Sequence, residues 1–100
     1  MPARLALDTV AITVFCERHP IRKLSLFGSV LRDDFHAGSD VDMLVEFEPG
    51  ARITLFDLAG LELELTAIVG RKVDLRTPGD LSKYIRQRVL DEAEALYVRG

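Results

Sequence analysis

Tryptophan is absent, cysteine occurs once, and the aromatic residues number five phenylalanines and two tyrosines. With Cys16 alone, no intrachain disulfide can form, and a reducing cytoplasm is the expected setting. Cys16 lies in an apolar helical pattern and reads as buried filler rather than a nucleophile. No apolar run reaches the length of a membrane span, and Asp8 and Thr9 interrupt the early hydrophobic residues, so neither an anchor nor a secretory signal is expected. A basic excess is missing too: 13 Lys and Arg face 16 Asp and Glu, for a net charge of −3. That balance argues against a dedicated nucleic-acid surface. Repeats and low-complexity linkers are also lacking. With 48% hydrophobic and 29% charged residues, the chain reads as one globular domain over residues 1–100. A chain of that size buries about 60–70% of its unfolded surface.

The order of elements is alternating α/β. A helix is expected from about Leu5 to Arg18, ending before Pro20. A strand over Arg22–Phe27 runs into a short helix opened by Ser29-Val30-Leu31-Arg32, followed by the loop His36–Ser39. The β-branched and apolar run Val41–Phe47 predicts a second strand, stopped by Pro49-Gly50. Thr54-x-x-Asp57 resembles a capping box for a helix that ends at Gly70. In it Leu55, Leu58, Leu61, Leu65 and Ile68 form one apolar face. Val73-Asp74-Leu75 is a third strand. Thr77-Pro78-Gly79-Asp80 supplies an N-cap, a first-turn proline and an acid for a last helix to about Ala93. Leu96-Tyr97-Val98 either extends that helix or adds an edge strand.

Chemistry enters with Gly28-Ser29, ten further residues, then Asp40-Val41-Asp42. A strand–Gly-Ser–helix junction points backbone N–H groups at the space above the turn, where phosphate fits. Residues two apart in a strand share a face, so Asp40 and Asp42 can point the same way, and Asp74 joins them if its strand lies alongside. Carboxylates about 4 Å apart repel by roughly 1–4 kcal/mol per pair, so the cluster requires protons or cations. Ligands that are all oxygen suit Mg²⁺ or Mn²⁺ rather than zinc. Arg32 is either a surface ion-pair partner or a phosphate contact. Other polar residues have ordinary explanations: His36 in a loop, His19 at a helix end, Arg71-Lys72 flanking a strand in solvent, and Lys83, Arg86 and Arg88 on the polar face of the last helix.

At these residues the chain resembles the DNA polymerase β-type nucleotidyltransferase superfamily, in particular its minimal bacterial and archaeal branch, the MNT antitoxins encoded beside HEPN-domain toxins. The resemblance runs from about Ile21 to Tyr97, through Leu26-Phe27-Gly28-Ser29, Ser39-Asp40-Val41-Asp42, Leu55-Phe56-Asp57-Leu58, Gly70–Leu75 and Tyr84-Ile85-Arg86. It implies an α/β (α+β) fold with a small mixed sheet flanked by helices. It also implies two Mg²⁺ ions, with Mn²⁺ a substitute, held by Asp40, Asp42 and Asp74 as metal ligands and catalytic residues. Gly28, Ser29 and Arg32 would bind the nucleotide, with ATP as donor. A tyrosine of a HEPN ribonuclease toxin would receive AMP in a hetero-oligomer. Two residues depart from the family pattern: Asp33 stands where many members have Gly, and Arg76 where an apolar residue is common.

Two other readings stay open, a catalytically weak antitoxin that acts by occlusion and a nucleotidyltransferase for a small acceptor. A haloacid-dehalogenase-type phosphohydrolase fits poorly, because Asp40 and Asp42 begin a strand rather than end one and Met43 follows where Thr is needed. A glycosyltransferase Asp-x-Asp fits no better, since 100 residues leave no room for its larger sheet.

Overall fold

A computed structural model describes residues 6–32, 35–36 and 38–99. The elements are α1 (Thr9–Glu17), β1 (Ile21–Phe27), β2 (Val41–Phe47), α2 (Leu55–Val69), β3 (Val73–Arg76), α3 (Arg86–Glu92) and β4 (Glu94–Val98). Single 3₁₀ turns cover Gly28–Leu31 and Pro78–Asp80. The four strands form one mixed sheet in the order β3-β2-β1-β4. β2 and β3 are parallel and joined through α2, while β1 is antiparallel to both neighbours.

Alternation along the strands decides which face carries the core. Leu24 and Leu26 of β1, Val41, Met43 and Val45 of β2, and Val73 and Leu75 of β3 are all buried. They pack against Ile12, Phe15 and Cys16 of α1 and Leu61 and Leu65 of α2. The residues between them, including Ser25, Asp42, Leu44 and Asp74, stand on the opposite face. Leu81 is buried on that second face, where it borders a cleft with Phe27, Asp42, Asp74, Arg76 and Ile85. The sheet is therefore a wall with a packed side and a working side.

α2 begins and ends at its anticipated signals. The Asp57 amide donates to the Thr54 hydroxyl (3.1 Å), and the Thr54 amide donates to the Asp57 carboxylate (2.9 Å). These bonds hold the Asp57 carboxyl below its usual range. Gly70 closes the helix at φ 79°, a left-handed conformation that glycine adopts without steric cost. α2 also covers the outer edge of β3. The Val73 amide donates to the Thr66 hydroxyl (3.1 Å), and the Leu75 amide donates to the Glu62 carboxylate (2.8 Å). One turn of helix thus pairs the edge amides on either side of Asp74.

Several expectations need correction. α1 starts at Thr9, because the Asp8 carboxylate accepts from the Ala11 amide (3.0 Å) and acts as the cap instead of lying within the helix. The anticipated start at Leu5 falls outside the described residues. Leu55 is 84% exposed and does not join the apolar face of α2, which narrows to Leu58, Leu61, Leu65 and Ile68. The last helix does not run from Thr77: Pro78–Asp80 makes one turn, Leu81 goes extended (φ −85°, ψ 143°) and is buried, and α3 starts only at Arg86. Burial of Leu81 outweighs the local capping signal. Arg86 is not on a free polar face either, since its guanidinium donates to Pro78 O (2.7 Å) and Leu81 O (2.9 Å). Leu96-Tyr97-Val98 is strand, and β4 pairs with β1. Cys16 is buried as expected, and burial raises its pKa to about 11, so its thiol stays protonated at neutral pH.

The covered edge gives a test of how α2 steadies β3. Glu62→Ala leaves the Leu75 amide without its partner and should cost about 1–2 kcal/mol in urea unfolding. Native-state hydrogen exchange should speed up at Leu75 and much less at Val73. Unchanged exchange at Leu75 would show that Glu62 does not protect this edge.

Candidate active site

Three local features build the site on the working face. First, β1 ends at Phe27, which pairs across the sheet with Asp42. The next residue, Gly28, turns at φ 77°. A Cβ at Gly28 would collide with the Asp42 carboxylate, lying only 3.2 Å from its Cγ and nearer still to Oδ2. Glycine is required here for both its backbone conformation and the space it leaves. The 3₁₀ turn is anchored by Val30, which is fully buried, and closed by the Arg32 amide donating to Ser29 O (2.9 Å).

Second, parallel pairing of β2 with β3 puts Asp42 and Asp74 directly opposite each other. The sheet register brings these acids together from 32 residues apart in the chain. Burial and the charges of Asp74 and Asp40 push the Asp42 carboxyl above its usual range, while Arg76 and Arg32 oppose the shift. Asp40 is exposed in the segment just before β2, so it contributes less to this crowding than Asp74. Arg32 is exposed beside the site, and its charge favours ionised Asp42.

Third, the loop leading to Asp40 is fastened from behind. Arg71 donates to His36 O (2.7 Å) and Ser39 O (3.0 Å), and its guanidinium lies 4.5 Å from the Phe35 ring centroid. The His36 amide donates to the Ser39 hydroxyl (3.1 Å), and the Gly38 amide to His36 Nδ1 (3.0 Å). The Val41 amide then donates to Lys72 O (2.8 Å), which starts the β2–β3 register. Arg71 is therefore no solvated flank of a strand but the clamp on the Asp40 loop. Residue spacing could not reveal this, because its acceptors are backbone carbonyls more than 30 residues away.

These parts border a cleft of about 250 Å³ lined by Phe27, Asp42, Asp74, Arg76, Leu81 and Ile85. A roomier hollow of about 430 Å³ lies between the end of α1 and α2, beside His19, Phe56 and Leu61, but holds none of the motif acids. Chemistry rather than volume selects the smaller cleft. Its donors are carboxylate oxygens, which fit Mg²⁺ or Mn²⁺, and burial first, then the charges of Asp74 and Asp40, raises the Asp42 pKa. Among the described residues, however, no three His, Cys, Asp or Glu side chains stand close enough to hold one ion. Both oxygens of Asp74 are engaged by Arg76, whose Nε and Nη2 donate at 3.3 Å each. Asp33, the other departure from the family pattern, lies outside the described residues.

The chain belongs to the nucleotidyltransferase domain family, whose pattern matches residues 10–96. It is 38% identical over 78 residues to the protein adenylyltransferase MntA of Thermococcus cleftensis, covering 76% of this chain and 75% of that protein. Among solved structures, it is similar to a toxin–antitoxin complex with AMP-PNP (TM-score 0.74, 21% identity, 93% of this chain and 75% of the other). A second is the tri-AMPylated Shewanella oneidensis HEPN toxin in complex with MNT antitoxin (TM-score 0.65, 19% identity, 91% and 70%). At those identities the two structures establish the shared fold. The mixed α/β architecture expected from the sequence is thus present.

Crowding at Asp42 has a thermodynamic sign. Because its folded-state pKa lies above the unfolded value, the fold favours the protonated acid, and stability falls as pH rises through the folded pKa. Asp42→Asn should therefore melt at a higher temperature than the parent at pH 7 without metal. The gap should close as pH drops below the ordinary carboxylate range. A variant less stable at pH 7 would mean that Asp42 contributes a favourable contact outweighing the repulsion.

Proposed function

We propose that this chain is an Mg²⁺-dependent protein adenylyltransferase that transfers AMP from ATP to a tyrosine of a HEPN-type ribonuclease toxin, and thereby neutralises it as the antitoxin in a cytoplasmic hetero-oligomer. The observation that carries this reading is the in-register pair Asp42–Asp74 beside the Gly28–Ser29 turn. The adenylyltransferase relative and the toxin–antitoxin structures support the acceptor class, and AMP-PNP in a structural neighbour supports the donor.

Two divalent ions would supply charge neutralisation at the triphosphate and favour ionisation of the attacking hydroxyl. Asp40 and Asp42 would hold the ion on the triphosphate side and share the catalytic one, whose site Asp74 would complete. The Gly28–Ser29 amides and the Ser29 hydroxyl would seat the β- and γ-phosphates, and Arg32 would add a cationic contact. The acceptor oxygen then bonds to the α-phosphorus as the bond to the bridging oxygen breaks. Pyrophosphate leaves, and Asp74 takes the hydroxyl proton. Ile85, 39% exposed, lines the cleft, and its chain neighbour Tyr84 is 85% exposed. A protein tyrosine can gain binding energy there, whereas a small free acceptor finds a shallow site.

Occlusion without catalysis is the second reading, and the Asp74–Arg76 contact favours it, since a carboxylate held by a guanidinium binds metal poorly. One comparison separates the two. The parent protein and Asp40→Asn/Asp42→Asn are incubated with Mg²⁺, ATP and a HEPN partner, and the partner's intact mass and ribonuclease activity are measured. Transfer predicts adenylylated, inactive partner with the parent only. Complete inhibition by the double variant, with no mass change in either case, would establish occlusion.

A further inference from the structure

The contact between Arg76 and Asp74 has a consequence for how the site fills. On β3 the two residues lie two apart, so both side chains stand on the working face and both line the cleft. The guanidinium reaches Asp74 Oδ1 through Nε and Oδ2 through Nη2, a forked contact to both oxygens. Its charge is further stabilised by Asp42 and Asp80. Arg76 therefore stands as a cation inside the acid cluster where a divalent ion would be needed.

The contact is also easy to break. Each bond is 3.3 Å long, at the far end of the hydrogen-bond range. The side chains are 48% and 33% exposed, so water can replace either partner. A guanidinium turned off Asp74 would need a new anion. Nearby Asp80 already accepts from the Thr77 amide (3.0 Å), whereas a triphosphate entering the cleft brings several unpaired oxygens.

We propose that Arg76 is a resident counter-cation that occupies Asp74 until a nucleoside triphosphate draws its guanidinium away, so that metal binding at Asp74 depends on the nucleotide. This rests on the nucleotidyltransferase reading of the site and adds an order to its assembly. Without nucleotide, Arg76 neutralises Asp74 and keeps the second ion out. With nucleotide, it pairs with phosphate and leaves both Asp74 oxygens open. Arg76 is a positioning residue in this scheme, and idle metal loading, with the hydrolysis it could support, is suppressed.

Mn²⁺ binding followed by electron paramagnetic resonance tests this on the intact chain. The parent, Arg76→Gln and Arg76→Lys are titrated with Mn²⁺, with and without AMP-PNP, and circular dichroism checks that each is folded. Without nucleotide, Arg76→Gln should bind Mn²⁺ roughly tenfold more tightly than the parent, because a competitor and a like charge have both gone. Arg76→Lys, which keeps the charge and loses the fork, should fall between them. AMP-PNP should bind Arg76→Gln several-fold more weakly than the parent, an opposite change that simple loss of structure would not produce. Equal Mn²⁺ affinity for parent and Arg76→Gln, with normal uptake by both when AMP-PNP is present, would overturn the role of Arg76 alone. Failure of every form to take up Mn²⁺ even with AMP-PNP would overturn the two-metal reading as well.

Discussion

Like charge held at close quarters organises this molecule. Parallel pairing of β2 with β3 sets Asp42 opposite Asp74, and burial, ahead of the charges of Asp74 and Asp40, raises the cost of ionising Asp42. No soluble fold gains stability from that arrangement in the absence of a cation. The neighbouring structure therefore has to keep the acids in place while Arg76 and Arg32 offset only part of their charge. Gly28 leaves room for the Asp42 carboxylate, Arg71 ties down the loop before Asp40, and α2 covers the edge of β3 on both sides of Asp74.

These supports share a physical character. Apart from Gly28, each joins a side chain to backbone rather than to another functional side chain. Glu62 and Thr66 hold edge amides, Arg71 holds loop carbonyls, and Arg86 holds the Pro78 and Leu81 carbonyls beneath the cleft. Backbone geometry is thus set independently of the acids, and substitution of an acid need not collapse the sheet that presents it. The division of labour suits a site whose function depends on unrelieved charge.

Much of this was legible in the sequence because it is local. Both arms of the Thr54–Asp57 box, the glycine that ends α2, and the bounds of β2 follow from signals within a few residues. Spacing also put Gly28 and Ser29 at the end of a strand and Asp42 within one, since a strand–turn junction and strand alternation are short-range. What escaped depended on tertiary contacts. Thr77–Asp80 carries a sound capping pattern, yet Leu81 is drawn into the second face and breaks the helix. Leu55 keeps helical spacing but sits beyond the sheet, in solvent. Arg71 looked like an ordinary surface charge and Arg76 like a departure from the family pattern, because their partners, a distant loop and a metal-type acid, emerge only when the strands are paired. Asp74 needed both kinds of information: its residue type was visible, and its place opposite Asp42 came from the register.

On the proposed function, the working face of the sheet binds a metal–nucleotide complex through Asp42 and Asp74. A crystal structure grown with AMP-PNP and Mn²⁺, with anomalous data to locate manganese, addresses it directly. Manganese should be bound to Asp42 and Asp74 oxygens, with the β- and γ-phosphates over the Gly28–Ser29 turn. Nucleotide seated in the hollow beside His19 and Phe56, with no manganese at either acid, would contradict it.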